Sequence, residues 1–170
     1  MGYKYSVQGF DKDHMARAVG VSLPISTKQS IEICNYIRNK TVERAKQMLS
    51  EVIEMKKAVP FNRFNRDMGH KPGIAAGRYP IKACSHILDL VKQVEANAQF
   101  KGLNTSLLVI SHINAQGASR PYKGGRKRAI PKRCHVEIAV QEMPEKAKED
   151  KKKSAPKKKE DNVKEKVKQK

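Results

Sequence analysis

Residues 107–141 read LLVISHINAQGASRPYKGGRKRAIPKRCHVEIAVQ and contain two apolar runs separated by a basic loop. The first run, residues 107–113, and the second run, residues 134–141, are rich in β-branched and other apolar residues. In the second run Val136, Ile138 and Val140 alternate with other residues and so share one face of a strand. Two such runs on either side of a Gly-containing break predict an antiparallel hairpin.

The loop between the two runs, residues 117–133, carries four Arg and three Lys but no Asp or Glu. It is much longer than the usual hairpin turn of about two to five residues. Ile130 and Tyr122 are its only large apolar or aromatic residues, so the loop cannot build a core of its own. Clustered cations repel one another, and phosphate groups relieve that repulsion. The loop therefore predicts an RNA-binding surface on which Tyr122 could stack on an unpaired base; the alternative is a solvated loop.

A second basic segment, residues 56–82, carries seven Lys or Arg and one Asp, with Phe61, Phe64 and Tyr79 interleaved. Basic residues that alternate with aromatic ones are typical of an irregular RNA-binding surface. The alternative is that Phe61 or Tyr79 packs beneath a long loop, which we expect for at least one of them. The predicted RNA-binding residues of the two segments are Arg63, Arg66, His70, Lys71, Arg78, Lys82, Arg120, Tyr122, Lys123, Arg126, Lys127, Arg128, Lys132 and Arg133.

Upstream of the hairpin the apolar spacing predicts three helices, over residues 26–39, 41–57 and from about residue 81 to just before Gly102, which is the predicted C′ residue. The first should open with a capping box formed by Ser26 and Gln29, and the second with Thr41 as its N-cap. The inner face of the third helix is predicted from its spacing to contain Cys84, Ile87, Leu88, Val91 and Ala98.

The predicted fold is α+β, with three helices on one face of a small three-stranded antiparallel sheet and a long basic β-hairpin extension. The hairpin spans about residues 103–142, and its tip is residues 117–133. Alternation at residues 3–7 predicts the remaining strand, followed by a polar stretch to about Pro24. We expect a globular RNA-binding domain over residues 1–144. Residues 145–170, with twelve Lys and six acids, have too few apolar residues to form a core and are predicted to be a disordered tail.

The overall charge narrows the class of partner. The formal net charge is +19 over 170 residues and the sequence pI is near 10, which favours nucleic acid. A membrane is not expected, because no apolar run approaches the roughly 18 residues that a transmembrane helix needs. The three cysteines form no CxxC pair and are predicted to be reduced thiols in a protein of the cytosol or nucleus.

Motifs that carry catalysis are absent from the sequence. It contains no GxSxG, HExxH or GxxxxGK[ST] pattern. Cys134 and His135 are neighbours in a predicted strand, so their side chains should point to opposite faces. The histidines His14, His70, His86 and His112 lack the spacing of metal ligands. We predict a protein that is not an enzyme and that uses no cofactor and no metal.

The stretches VPFNRFN, AGRYPIKAC, VEANAQFKGL and HVEI occur in that order around the predicted helices and strands. Together they resemble the universal large-subunit ribosomal protein number twenty-two family, in its eukaryotic/archaeal-type form, over residues 3 to about 142. The resemblance implies a structural rRNA-binding protein whose hairpin lines the nascent-peptide exit tunnel. It implies that Arg63, Arg66 and Arg78 face rRNA, and that residues 122–126 match the family's hairpin tip in a shortened form. Both basic loops are shorter than is usual in the family.

The implied partners are large-subunit rRNA, neighbouring ribosomal proteins and, near the hairpin tip, the nascent polypeptide. The implied location is the cytoplasm, with a nucleolar step during assembly if the source is eukaryotic. The rival hypothesis is a free-standing basic RNA-binding module or RNA chaperone. Against a DNA-reading module, the predicted helices show no base-reading cluster of Arg, Asn and Gln on one N-terminal turn.

Overall fold

A three-stranded antiparallel sheet forms the centre of the protein, in a computed structural model that describes residues 3–64, 67–121 and 130–143. In chain order the elements are β1 (Met15–Leu23), α1 (Thr27–Ile37), α2 (Val42–Ile53), β2 (Val59–Pro60), β3 (His70–Lys71), β4 (Ala75–Arg78), α3 (Ile81–Phe100), a short 3₁₀ helix (Thr105–Leu107), β5 (Leu108–Gly117) and β6 (Cys134–Glu142).

Strand β6 lies between β1 and β5 and is antiparallel to both. The β5–β6 register runs from Leu108 opposite Glu142 to Gly117 opposite Cys134, with one irregularity between Ile110 and His112. The two apolar runs therefore pair with each other, as the sequence predicts.

The helices pack against this sheet through one continuous apolar core. All five residues of β6 from Val136 to Val140 are buried, so this central strand is covered on both faces, and Val136, Ile138 and Val140 belong to the core shared with the helices. The helices contribute further fully buried side chains, among them Ile33, Ile37, Leu49, Val52, Ile87 and Val91. This arrangement confirms the predicted α+β class with three helices and a three-stranded sheet.

The predicted position of the first strand is wrong. Residues 3–7 have no regular secondary structure, and β1 begins at Met15 in the stretch expected to be an irregular polar segment. The true strand has Ala16, Ala18 and Gly20 on its buried face, and Ala and Gly are poor strand formers. At Gly20 a Cβ atom would lie 2.9 Å from Leu90 Cδ1 of α3 and 2.7 Å from Leu23 Cδ1, so a larger residue would require these two side chains to shift. Because α3 packs closely against β1, the positions on the buried face of this strand hold small residues. The alternation of large apolar and polar residues, by which strands are recognised in a sequence, is therefore missing.

The three predicted helices are present, and α3 has Lys101 as its C-cap and Gly102 at the C′ position, as predicted, whereas α1 and α2 end earlier than predicted. Helix α1 stops at Ile37, and α2 stops at Ile53 before Met55, whose φ of +58° interrupts the helix. Thr41 caps α2 as predicted, since its side chain accepts a hydrogen bond from the Arg44 backbone N–H. Ser26 is the N-cap residue of α1, but its side chain makes no capping hydrogen bond, so the predicted capping box does not form.

The connection between α2 and α3 contains a small second sheet that was not predicted. Strands β2 and β3 both pair antiparallel with β4, through pairs such as Val59 with Arg78 and His70 with Ala76. Strands of two to four residues are too short to show a periodic pattern. The basic segment is therefore partly ordered by backbone pairing.

Several predictions concern residues outside the described part of the chain. They include Arg66, the tip residues Tyr122, Lys123, Arg126, Lys127 and Arg128, and the Lys-rich tail from residue 145. Among the helices that are described, none has the length and apolar character to span a bilayer.

Candidate nucleic-acid interface

The two basic segments meet at one cleft of about 390 Å³, which we call the basic cleft. Its cationic side chains are Lys28, Arg78, Arg120, Lys132 and Arg133, and its aromatic ones are Phe61 and Phe64. None of the described residues that line it is Asp or Glu. The positive charge of the cleft is therefore not neutralised by its own walls, and a polyanion is the ligand that it favours.

Separate parts of the fold bring these cations together. Arg78 lies in β4, whereas Arg120 and Lys132 lie on the two sides of the hairpin base. Lys28 lies in the first turn of α1 and was not among the predicted residues. A lone Lys on a helix surface is usually only solvated, so no pattern in the sequence distinguished Lys28.

The hairpin base is attached to the edge of the central sheet. The Ala118 N–H donates to the Arg133 carbonyl oxygen at 3.2 Å, which continues the pairing of β5 with β6. The Arg133 Nη1 group donates to the Ser22 carbonyl oxygen of β1 at 2.9 Å. Arg133 therefore has a structural role as well as a place in the basic cleft.

A buried acid, Glu32, orders the loop beside the basic cleft. Its side chain is 2% exposed, and Oε1 accepts hydrogen bonds from the backbone N–H groups of Arg63 and Phe64 at 2.8 and 2.9 Å. Hydrogen bonds to a charged acceptor are stronger than neutral ones. The sequence analysis did not predict a role for Glu32. The only feature of the sequence that sets this residue apart is that it is the one acid in α1.

The aromatic residues have distinct roles. Phe61 is 3% exposed and belongs to the core, which confirms that at least one of the aromatic residues of this segment is a packing anchor. Phe64 is half-buried, with Arg63 Cζ 5.3 Å and Lys28 Nζ 5.7 Å from its ring centroid. Such cation–π contacts hold the cations near the cleft.

The remaining described residues of the predicted set are more dispersed. Lys71 and Arg78 line a second opening that also contains Asp67, and the Lys71 Nζ atom lies 5.9 Å from the Tyr79 ring centroid. His70 and Lys82 are exposed but line neither opening. Proximity to the cleft therefore supports Arg78, Arg120, Lys132 and Arg133 most directly.

A cluster of Ser6, His112 and Glu137 has the residue types of a hydrolytic triad without its geometry. His112 Nε2 lies 3.2 Å from both Ser6 Oγ and Glu137 Oε1, so one ring nitrogen faces both groups. In a working triad the acid and the hydroxyl bind opposite ring nitrogens. Here the Ser6 hydroxyl and backbone N–H both donate to the buried Glu137 carboxylate. The cluster therefore attaches the N-terminal segment to the sheet.

The three thiols are buried in the core. Burial raises the pKa of Cys34 and of Cys84 to about 12, and burial also raises the pKa of Cys134. Cys134 and His135 lie on opposite faces of β6, and His135 Nδ1 accepts a hydrogen bond from the Ser22 N–H instead. A reactive thiolate at any of these sites is disfavoured. Within the described ranges, no three His, Cys, Asp or Glu side chains are arranged to hold a metal ion.

Comparison with known proteins identifies a family. Residues 18–141 match the family model described as ribosomal protein L22p/L17e. The chain is 40% identical to large ribosomal subunit protein uL22 of Methanoculleus marisnigri, over 84% of this chain and 97% of that protein. It is 43% identical to the protein of the same name from Archaeoglobus fulgidus, over 66% and 74% of the two chains. The corresponding protein of Staphylothermus marinus is 39% identical, over 83% and 98%.

Proposed function

This chain belongs to the ribosomal protein L22p/L17e family, and from that premise we propose that it is a structural, non-enzymatic constituent of the large ribosomal subunit. It binds rRNA through the basic cleft and through the basic hairpin. Its other partners are neighbouring ribosomal proteins. The relatives named above are archaeal, which agrees with the predicted archaeal-type form.

The observation that carries the proposal is the convergence of five cations on a cleft with no acid among its described walls. Three lysines elsewhere on the surface have acidic partners: Lys46 pairs with Glu95 at 2.8 Å, Lys57 with Glu51 at 2.8 Å, and Lys56 with Glu54. The cations of the basic cleft form no such pairs among the described residues. Phosphate groups of rRNA would supply the missing negative charge.

We also propose a place for the hairpin. Its base is attached to the sheet, and its tip is acid-free, so the tip can extend among rRNA segments toward the exit tunnel and the nascent polypeptide. The site of action is the translating ribosome in the cytoplasm. A nucleolar step is not part of the proposal, because the relatives named above are archaeal.

Cosedimentation tests the proposal. The full chain should remain with large subunits through a high-salt wash. The variant Arg78→Ala/Arg120→Ala/Lys132→Ala should assemble less well, because it removes three cations that form no ion pair among the described residues.

The matched control is Lys46→Ala/Lys56→Ala/Lys57→Ala, which removes the same charge from three lysines already paired with carboxylates. It should assemble almost normally. Equal losses in both variants would mean that net charge alone matters and that the basic cleft is no specific site. A chain that binds RNA but washes off the subunit would favour the free-standing RNA-binding module.

A further inference from the structure

A second cleft, at the C-terminal end of α3, shares no residue with the basic cleft. It has a volume of about 530 Å³ and is lined by Phe10, Lys12, Arg17, Asn97, Phe100 and Lys101, and we call it the Phe100 cleft. Phe100 is 94% exposed, whereas the other exposed large apolar side chains of the described residues are 56–60% exposed. A single exposed apolar residue is ordinary, so what matters is what surrounds this ring.

The guanidinium group of Arg17 lies close to two aromatic rings. Its Cζ atom lies 4.2 Å from the centroid of the Tyr5 ring and 4.5 Å from that of Phe10. Two cation–π contacts at these distances hold the guanidinium group in place without using its hydrogen-bond donors. No described residue accepts a hydrogen bond from the Arg17 side chain, so these donors are available to a ligand.

The walls of the Phe100 cleft are tied together by hydrogen bonds. Lys101 Nζ donates to the carbonyl oxygens of Lys12 and Met15, both at 2.8 Å, and lies 5.3 Å from the Phe10 ring centroid. Asn97 Nδ2 donates to the Arg17 carbonyl oxygen at 3.0 Å. The end of α3 is thereby fastened to the segment that leads into β1, so the ring and the guanidinium are presented by connected elements.

The charge of the cleft indicates the chemistry of its occupant. Three of its six lining residues are cationic and none is acidic. The nearest acids in sequence are Asp11 and Asp13. Asp11 accepts the Asp13 backbone N–H and lines a different opening, with His14. An exposed ring beside a fixed guanidinium matches a nucleotide, since a base stacks on an aromatic face and a phosphate accepts from Arg.

We propose that the Phe100 cleft binds one unpaired nucleotide of rRNA, with its base on the Phe100 ring and its phosphate on Arg17. The inference rests on the proposed function, because it takes rRNA as the partner. It adds a further attachment point, beside the basic cleft and the hairpin, on a part of the surface that no basic segment of the sequence indicated.

The decisive experiment is photo-crosslinking in assembled large subunits. The variant Phe100→p-benzoylphenylalanine keeps an aromatic side chain and should form an adduct with a single rRNA nucleotide, mapped by primer extension. An adduct with a ribosomal protein, or no adduct, would overturn the inference. Either result would leave the proposed function intact as long as the variant still cosediments with the subunit.

Binding to a twelve-residue oligouridylate provides an independent measurement with the full chain. Phe100→Ala should weaken binding roughly 5- to 150-fold, the range expected for losing one stacked base. Its salt dependence should not change, because no charge is removed. Arg17→Ala should instead lower the salt slope by about 0.7, the value for one phosphate contact to a single strand.

Two controls separate stacking from other effects. Phe100→Tyr preserves the ring and should bind as the unmodified chain does. Met55→Ala truncates another exposed apolar side chain, one that lines neither cleft, and should have no effect. Equal weakening by Phe100→Ala and Met55→Ala, or no weakening by Phe100→Ala, would contradict the inference. Because Phe100 is almost fully exposed, its truncation should not unfold the protein.

Discussion

Glu32 connects the core of the protein to its basic surface. The residue is an anion in a chain of strongly positive net charge, and it lies beside the cleft that should attract RNA. Simple electrostatics would make it unfavourable for binding. Its two backbone hydrogen bonds, to Arg63 and Phe64, explain its presence instead, because they fix a loop that carries a cation.

The variant Glu32→Ala should therefore lower RNA affinity even though it makes the protein more positive. It should also lower the free energy of unfolding by about 1.5–3 kcal/mol for each of the two hydrogen bonds to the carboxylate that are lost. Denaturant unfolding and amide exchange at Arg63 and Phe64 would measure both effects. Glu43→Ala removes an exposed acid and should leave RNA affinity unchanged or slightly raised. If Glu32→Ala instead raised the affinity for RNA, Glu32 would not act by ordering the loop at Arg63 and Phe64.

The buried thiols make stability fall in alkaline solution. In the unfolded chain Cys34 and Cys84 ionise near their ordinary pKa of 9.0, whereas burial raises the pKa of each to about 12 in the folded protein. Between these values the folded state holds more protons than the unfolded state. Stability therefore decreases as pH rises, by about 1.4 kcal/mol per pH unit for each thiol.

The double variant Cys34→Ala/Cys84→Ala isolates this contribution from that of lysine and tyrosine. The unmodified chain should lose about 3 kcal/mol more than the variant between roughly pH 8 and pH 10. Urea unfolding at the two pH values measures the difference, and any cavity left by the variant cancels because it is the same at both. If the unmodified chain and the variant lost the same free energy of unfolding between the two pH values, the pKa values of the two thiols would not differ between the folded and unfolded states.

Helix α3 carries much of the packing between the helices and the sheet. Its fully buried residues include Cys84, Ile87, Val91 and Val94, whereas Leu88 is only partly buried and packs at the margin of the core. The spacing of apolar residues predicted that Ile87 and Leu88 both lie on the inner face of the helix. Spacing alone cannot tell which of two adjacent apolar residues is more deeply buried. The structure separates them.

Ile87→Ala should lower the free energy of unfolding by about 2–5 kcal/mol, because it leaves a cavity in a close-packed core. Leu88→Ala should cost less, because water can reach part of the vacated space. Urea unfolding of the two variants at unchanged m-value provides the comparison. Equal losses would place Leu88 in the core after all.

Helices and strands in which apolar residues repeat regularly over many positions were predictable from the sequence. Strands that are defined by close packing or by backbone pairing with a neighbour were not. Strands β5 and β6 and the three helices repeat apolar residues over ten or so positions, so their pattern does not depend on the rest of the fold. The residue types of strand β1 are instead set by the packing of α3 against it, because the side chain of Leu90 lies close to Gly20. The short strands β2, β3 and β4 depend on backbone pairing, which leaves little trace in side-chain pattern.

The same division applies to the candidate sites. The basic segments of the sequence led to the prediction of Arg78, Arg120, Lys132 and Arg133, and the structure brings these four residues to one cleft. Lys28 and Arg17 are single cations in ordinary sequence contexts, and only folding places them beside aromatic rings. Single cations such as Arg17 and Lys28 were therefore not predicted as site residues, although each lies beside an aromatic ring in the structure.

The dimensions of the hairpin limit what the protein can reach. Beyond the pair formed by Ala118 and Arg133, the chain has fourteen residues, 119–132, to go out and return. Seven extended residues span at most about 23–25 Å, which is the furthest that the tip can project from its base. Contact with a nascent polypeptide thus requires the base of the hairpin to lie within that distance of the tunnel.

A photo-crosslinker at Tyr122 or Gly125 tests this reach. Both positions lie near the middle of the acid-free segment, outside the described residues, and in translating ribosomes they should capture the growing polypeptide. A crosslinker at Lys46, which pairs with Glu95 where α2 meets α3, should not. Gel analysis of radiolabelled nascent chains would distinguish the two positions. Adducts formed only with rRNA at the tip would retain the RNA-binding function and remove the tunnel contact, because the shortened loop would then end before the tunnel wall.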